Sequence, residues 1–190
     1  EIGSKLRVLI PSKDKNGKSV YKEAHHFEFN KIRYVADLIP PNFLINKYFE
    51  TEQKVIDELQ SKLDSASSKL ESYIEENSGE DGILEDAKID KGSISKTSVA
   101  NRLKVTKDKD EIKALKECKK LLELESNAKI DLKIAIDKLT LAVFKKYRTL
   151  SIEDIKEIVI EDKWLKYISN QIKEEINRVT TNLANRIKTL

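Results

Sequence analysis

The chain has 190 residues, and its 36 lysines and arginines nearly balance its 33 aspartates and glutamates. Charged residues reach 36% and hydrophobic residues only 39%, against averages of roughly 25% and ~45–50% in globular domains, which indicates long solvated helices and disfavours a compact α/β enzyme. No run approaches the ~18 apolar residues of a membrane span, and the single cysteine excludes an internal disulfide, so we expect a cytoplasmic protein.

The segment 1–36 has the alternating pattern of extended strands. Apolar and polar side chains alternate over 6–10 and again over 27–36, and Asn16-Gly17 is a strong signal for a tight turn. We therefore predict a small N-terminal β element of two or three strands. Because this element holds too few apolar residues to fold alone, it should lean on another part of the chain.

Two prolines, Pro40 and Pro41, mark a change of period, and the segment 37–78 is predicted to be a long heptad helix from about Asn42 to about Glu76. Its apolar positions are spaced 3-4-3-4-3, which is typical of a coiled-coil seam. The members of this seam are Ile56, Leu59, Leu63, Ala66, Leu70 and Tyr73.

The segment 79–107 is predicted to be an irregular connector with a short pairing around 89–99, because it holds three of the five glycines and few large apolar groups. A second long helix follows over 108–147, and its wide apolar face implies more than one neighbour.

Residues 50–95 carry 5 basic and 13 acidic groups, whereas residues 96–150 carry 15 basic and 8 acidic groups. Each block of like charge is interpreted either as a solvated helix face or as a segment that pairs with a neighbouring block of opposite charge.

The segment 151–190 is predicted to form a short helix and a C-terminal amphipathic helix. Ser151 and Asp154 have the spacing of a capping arrangement, and Asp162 is a candidate cap for the last helix. That helix must bury its apolar stripe against the 108–147 helix or against a partner. The stripe, spaced 3-4-4-3-4-4-3, consists of Leu165, Ile168, Ile172, Ile176, Val179, Leu183, Ile187 and Leu190.

The predicted fold is thus mainly α, an elongated antiparallel helical hairpin or small coiled-coil bundle with a small N-terminal β element. Trp164, at the start of the last stripe, is favoured as a core anchor over a partner contact. Lysines and an arginine around the connector are candidates for contacts with the DNA backbone, whose affinity would fall steeply with salt. They are Lys96, Arg102, Lys104, Lys107 and Lys109.

No catalytic, cofactor-binding or metal-binding constellation stands out. The pair His25-His26 has no ligand partner at metal spacing, and Cys118 falls on a helix seam, where a buried hydrophobe is favoured over a nucleophile. The sequence has no glycine-rich phosphate loop. Pro40-Pro41-Asn42-Phe43 contains the letters of the Asn-Pro-Pro-aromatic loop of adenine methyltransferases in another order, which favours a helix start.

Two parts of the chain resemble the modification subunits of type I restriction–modification enzymes. Together these parts cover roughly residues 37–79 and 144–190. The first reads DLIPPNFLINKYF over 37–49 and runs into the heptad helix, and Lys47 stands where arginine is usual in the family. The second comprises KYRTLS over 146–151, IKEIV over 155–159 and DKWL over 162–165, followed by Glu175, Arg178, Leu183, Arg186, Ile187 and Leu190.

This resemblance implies the C-terminal region of a site-specific DNA adenine-N6 methyltransferase. Its S-adenosylmethionine pocket and catalytic loop would precede Glu1, so neither catalysis nor cofactor binding is expected of the present residues. The sequence contains no methionine, and we expect a processed or truncated piece of a larger protein, with 1–36 a β element or a remnant of the catalytic-domain boundary.

The partners implied by the resemblance are the specificity subunit, a second modification subunit, a restriction subunit and, through the assembled complex, DNA. No membrane is expected among them. The alternative is a free-standing coiled-coil interaction or adaptor protein without a methyltransferase parent. Our candidate partner-binding residues belong to the last helix and are Trp164, Leu165, Ile168, Ile172, Ile176, Val179, Leu183 and Ile187.

Overall fold

A computed structural model describes residues 6–15, 18–21, 23–78, 82–89 and 93–188. The chain is mainly helical, with long helices that pack against each other and a small antiparallel sheet near the N-terminus, as the sequence predicts. It divides into two compact units. The first unit comprises Glu1–Glu50 and Leu139–Leu190, and the second comprises Thr51–Lys138.

The N-terminal part of the first unit forms five short strands. They are β1 (Arg7–Val8), β2 (Ser12–Lys13), β3 (Ser19–Val20), β4 (Phe27–Phe29) and β5 (Ile32–Val35). One sheet has the order β1-β5-β4, and β2 pairs with β3; every pairing is antiparallel. Asn30 and Lys31 join β4 to β5 with φ values of 51° and 63°, as a two-residue hairpin turn requires. The turn predicted at Asn16-Gly17 lies outside the described residues.

Aromatic rings attach this sheet to the end of the second long helix. Phe27 stacks on Tyr147 with ring centroids 5.9 Å apart, and Phe29 stacks on Phe144 at 4.6 Å. The buried Tyr147 hydroxyl donates a hydrogen bond to the carbonyl oxygen of Ile39 at 2.6 Å. The sheet therefore leans on a helix, as its low apolar content predicts.

The single helix predicted over 42–76 is broken at Phe49. Helix α1 spans Pro41–Tyr48 and helix α2 spans Glu50–Asn77. Phe49 leaves helical geometry with φ −135°, although its N–H still bonds the carbonyl of Ile45. The break lies two residues after Lys47, whose ammonium contacts Glu157 and Asp162 of the C-terminal segment, and the seam of α2 begins only at Ile56.

In the second unit, α2 packs antiparallel on helix α4 (Lys109–Thr149). The Tyr73 hydroxyl donates to the carbonyl of Ala114 at 3.2 Å, and the Ser67 hydroxyl donates to the Glu125 carboxylate at 3.0 Å. All six predicted seam positions of α2 are buried or half-buried. The buried cluster consists of Leu70, Leu84, Ala87, Val99, Ala114, Leu115, Cys118 and Leu122.

The segment 79–107 is not an irregular connector throughout. It contains a 3₁₀ turn at Glu85–Ala87, an isolated bridge between Lys88 and Ile94, and a third helix, α3 (Lys96–Val105). The Ser95 and Ser98 side chains form a reciprocal capping box at the start of α3. Helix α3 places Val99 in the core of the second unit. Burial of this side chain stabilises α3 although the amphipathic pattern of the helix is weak.

The C-terminal segment is one continuous helical run. Ser151 caps α5 (Ile152–Glu157) with Asp154 completing the capping box, as predicted. The prediction that Asp162 caps a separate last helix is wrong, because a π-helical segment, Ile158–Leu165, joins α5 to α6 (Lys166–Lys188) without a break. The Asp162 carboxylate instead accepts a hydrogen bond from the Lys47 ammonium at 2.9 Å.

Replacing the buried Leu115 by alanine should lower the free energy of unfolding by about 2–5 kcal/mol, since the side chain is fully buried and leaves a cavity. Leu124→Ala on the same helix is the control, because Leu124 is 51% exposed and should cost about 0.5 kcal/mol or less. Urea titration followed by circular dichroism measures both. Equal losses would contradict the packing described for the second unit.

Candidate functional site

The most distinctive surface of the first unit is the apolar stripe of α6. We call it the α6 stripe; its members are Leu165, Ile168, Ile172, Ile176, Val179, Leu183 and Ile187. Leu190, the last position of the predicted stripe, lies outside the described residues. These side chains are between 48% and 63% exposed, and no residue of α6 is buried. From the sequence we expected this stripe to pack either against the 108–147 helix or against a partner. Among the described residues, no side chain buries it.

The π-helical segment runs from the last buried residue of the helical run, Ile158, to the first member of the α6 stripe, Leu165. Ile158 and Leu165 are seven residues apart, a spacing that places both on one face of an α-helix. Ile158 is nevertheless fully buried, whereas Leu165 is 49% exposed. The wider turns of the π-helical segment change the helical phase between these residues, so the stripe does not continue the buried face of Ile158.

Ion pairs fix the start of this helical run to α1. The Lys47 ammonium lies 2.8 Å from the Glu157 carboxylate and 2.9 Å from that of Asp162. Hydrogen bonds to Glu157 and then to Asp162 raise the pKa of Lys47, so it stays charged. The Lys163 ammonium donates to the carbonyl of Leu38 at 2.9 Å. The α6 stripe thus extends from a base that is held at several points.

Tyr48, the last residue of α1, makes further contacts with the start of the C-terminal helical run. Its hydroxyl lies 3.4 Å from the Asp154 carboxylate, and the Lys146 ammonium lies 3.9 Å from its ring centroid. Burial, followed by the charge of Asp154, raises the pKa of Tyr48, so it remains a neutral donor. These contacts tie α5 to α1 and α4 inside the first unit.

Trp164 does not lie in a core, contrary to the interpretation favoured from the sequence. Its side chain is 54% exposed and lines an open cleft of about 710 Å³ with Phe43 and Tyr167. Three lysines and one aspartate line the same cleft, so its charge is positive on balance. Trp164 is therefore available to a partner at the base of the α6 stripe.

The candidates for DNA contacts divide into two groups. Lys96, Lys104, Lys107 and Lys109 have exposed side chains. Arg102 is engaged within the protein, since its guanidinium pairs with the buried Glu111 and lies 2.7 Å from the Asp86 carboxylate. Its charge is thus neutralised by carboxylates of the second unit.

The residues weighed for chemistry have structural roles. Cys118 is fully buried, and burial raises the pKa of its thiol, which disfavours the nucleophilic thiolate. The Nδ1 atom of His26 accepts a hydrogen bond from the Ala36 N–H at 2.8 Å. Among the described ranges, no group of three or more histidine, cysteine or acidic side chains could hold a metal ion.

Sequence reasoning missed Glu111, which is the one charged or polar side chain classed as buried among the described residues. Its carboxylate accepts hydrogen bonds from Arg102 and from the Thr106 hydroxyl. The hydrogen bond from Arg102, which outweighs burial, holds the pKa of Glu111 below its ordinary value. The nine-residue separation of Arg102 and Glu111 could have indicated this ion pair, but only if the end of α3 between them had been predicted, and it was not.

No protein-family model, curated protein or solved structure matches this chain. None of the helices within the described residues is long and apolar enough to cross a membrane. What the chain does must therefore be inferred from its own residues and from the resemblance given above.

Glu111→Gln should make the protein less stable at pH 7, because Arg102 loses the charge of its partner carboxylate. The folded-state pKa of Glu111 is depressed, so the stability contributed by its charge is fully present above the unfolded value of about 4.3 and is lost as the pH falls through the lower folded value. Urea titrations from pH 7 to pH 3 measure the free energy of unfolding of the unchanged protein and of Glu111→Gln. The difference between these two free energies should become smaller below about pH 4.3. A difference that stays constant over this range would contradict the assignment.

Proposed function

We propose that the chain is the C-terminal helical assembly region of the modification subunit of a type I restriction–modification enzyme. In this proposal, the α6 stripe docks the parent DNA adenine-N6 methyltransferase onto the specificity subunit. The single observation that supports docking most strongly is the uncovered stripe, because helices expose a continuous row of large aliphatic side chains mainly where another protein covers it.

The energetics favour a partner. Fully burying one leucine or isoleucine stabilises by ~1.5–3 kcal/mol, and each of the seven members of the α6 stripe keeps about half of its surface exposed. From Leu165 to Ile187 the stripe runs for roughly 33 Å at 1.5 Å per residue. A partner helix along this length could cover all seven side chains of the stripe.

The base of the stripe supports the same role. Lys47 fixes the start of the helical run through Glu157 and Asp162, so the first turns of α6 keep one orientation relative to α1 before a partner arrives. Pre-organisation of this kind strengthens binding, because less conformational freedom is lost on association. Exposed Trp164 adds an aromatic anchor of the type that carries much of the energy in protein interfaces.

Catalysis belongs to the parent and not to these residues. S-adenosylmethionine is a sulfonium cation, and the open cleft beside Trp164 is lined by Lys47, Lys163 and Lys166 against one acid, Asp162. This cleft does not fit a cationic cofactor. In the proposed complex the cofactor sits in a separate catalytic domain, while a second modification subunit, the restriction subunit and DNA join through the assembled enzyme.

Ile176→Asp tests the proposal, because it places a charge in the middle of the α6 stripe. Co-purification with the specificity subunit encoded with the protein should be lost, with affinity falling by at least about 30-fold, the effect of a 2 kcal/mol interface residue. Thr181→Asp adds the same charge to another exposed position of α6 and should leave binding unchanged.

Circular dichroism of both variants checks that their helix content matches that of the unchanged protein. Retention of the specificity subunit by Ile176→Asp, at unchanged affinity, would mean that the α6 stripe is not the docking surface.

A further inference from the structure

The α6 stripe has a repeat that differs from that of α2. Its spacing is 3-4-4-3-4-4, so Leu165, Ile176 and Ile187 are equivalent positions of an 11-residue repeat. The seam of α2, by contrast, follows 3-4-3-4-3, a seven-residue repeat. An 11-residue repeat corresponds to about 3.67 residues per turn and favours a slightly right-handed supercoil, whereas a heptad imposes a left-handed one.

We propose that the α6 stripe binds one helix of another chain whose own apolar residues recur at the same 3-4-4 spacing and whose flanks are acidic. The two helices pack nearly straight or with a slight right-handed supercoil. This inference rests on the proposed function, since it specifies the sequence pattern that the partner surface carries. It adds a criterion that the resemblance does not supply.

The difference between the two repeats is large over the length of α6. Across the 22 residue steps from Leu165 to Ile187, apolar stripes with periods of 3.67 and 3.5 residues diverge by about 100° around the helix axis. A heptad partner that faces Leu165 would therefore have turned its apolar side away near Ile187. A partner with the 3-4-4 spacing keeps contact along the whole stripe.

The charges of α6 favour an acidic partner over a second copy of this chain. Helix α6 carries five basic residues and two acidic ones, Glu174 and Glu175, which gives 5 − 2 = +3. Glu175 is already engaged with Arg178, whose guanidinium Nε lies 2.8 Å from its carboxylate. Two copies would bring like charges together along the contact, whereas glutamates on a partner would pair with them.

One edge of the stripe is suited to close approach. Ser169, Thr180 and Ala184 border the stripe on the side that also carries Lys166 and Lys173. Small side chains let a partner backbone come near, and the flexible lysine stems can then reach acidic groups beyond it. The flank chemistry therefore complements the apolar pattern in selecting an acidic helix.

The probes for the test are three synthetic 25-residue helical peptides added to the whole protein. Two have identical composition with glutamate flanks and differ only in placing their leucines and isoleucines at 3-4-4 or at 3-4 spacing. The third keeps the 3-4-4 spacing but has lysine flanks. Fluorescence anisotropy of labelled peptide measures each dissociation constant.

The glutamate-flanked 3-4-4 peptide should bind at least about 10-fold tighter than either of the others, and Ile176→Asp should abolish that binding. Equal or tighter binding by the 3-4 peptide would contradict the inference that the partner has 3-4-4 spacing. Equal binding by the lysine-flanked peptide would contradict the inference that the partner has acidic flanks. Failure of all peptides, with sedimentation showing dimers that Ile176→Asp dissociates, would assign the stripe to a second copy.

These outcomes are separable from those of the proposed function. If the peptide preference fails while the specificity subunit still co-purifies, only the 3-4-4 inference falls. If the preference holds while the specificity subunit does not co-purify, the assembly role falls and the description of the stripe stands.

Discussion

An apolar row along a helix is stable in water only when other side chains cover it, and the helices of this chain differ in how that cover is supplied. In the second unit, α2 and α4 cover each other around Leu70, Leu115 and Leu122. In the first unit, the end of α4 is covered by the aromatic rings of the sheet. The α6 stripe has no such neighbour among the described residues, and this asymmetry is the basis of the proposed docking role.

Two local features of the first unit lie at the start of the stripe, and no residue of α6 itself is buried. The π-helical segment shifts the phase of the chain after the buried Ile158. Lys47 then holds Glu157 and Asp162, so the start of α6 is fixed by paired charges and not by a hydrophobic contact of the stripe itself. All seven aliphatic members of the stripe are about half exposed.

The sequence predicted those features that depend on local periodicity or on one capping side chain. The heptad seam of α2, the second long helix and the Ser151 cap all belong to this class, because side-chain spacing and capping hydrogen bonds are short-range properties. The short strands near the N-terminus were predicted for the same reason, since alternation is visible over a few residues.

The features that sequence analysis missed depend on contacts between distant segments. The break at Phe49 lies two residues after Lys47, and the role of Asp162 follows from Lys47, which lies 115 residues from it. Trp164 was favoured for a core because large aromatic residues are usually buried, but its side chain is half exposed beside an open cleft. Helix α3 was missed because its weak amphipathic pattern is stabilised by burial of Val99 in a core that the sequence does not display.

Hydrogen–deuterium exchange of the backbone amides tests the central claim most directly, with the protein measured alone and bound to the specificity subunit. Lacking packed neighbours, the amides of 168–188 should exchange quickly in the free protein and become strongly protected in the complex, while those of 111–138 change little. Protection of α6 that is already high in the free protein, or unchanged in a complex that has formed, would contradict the account.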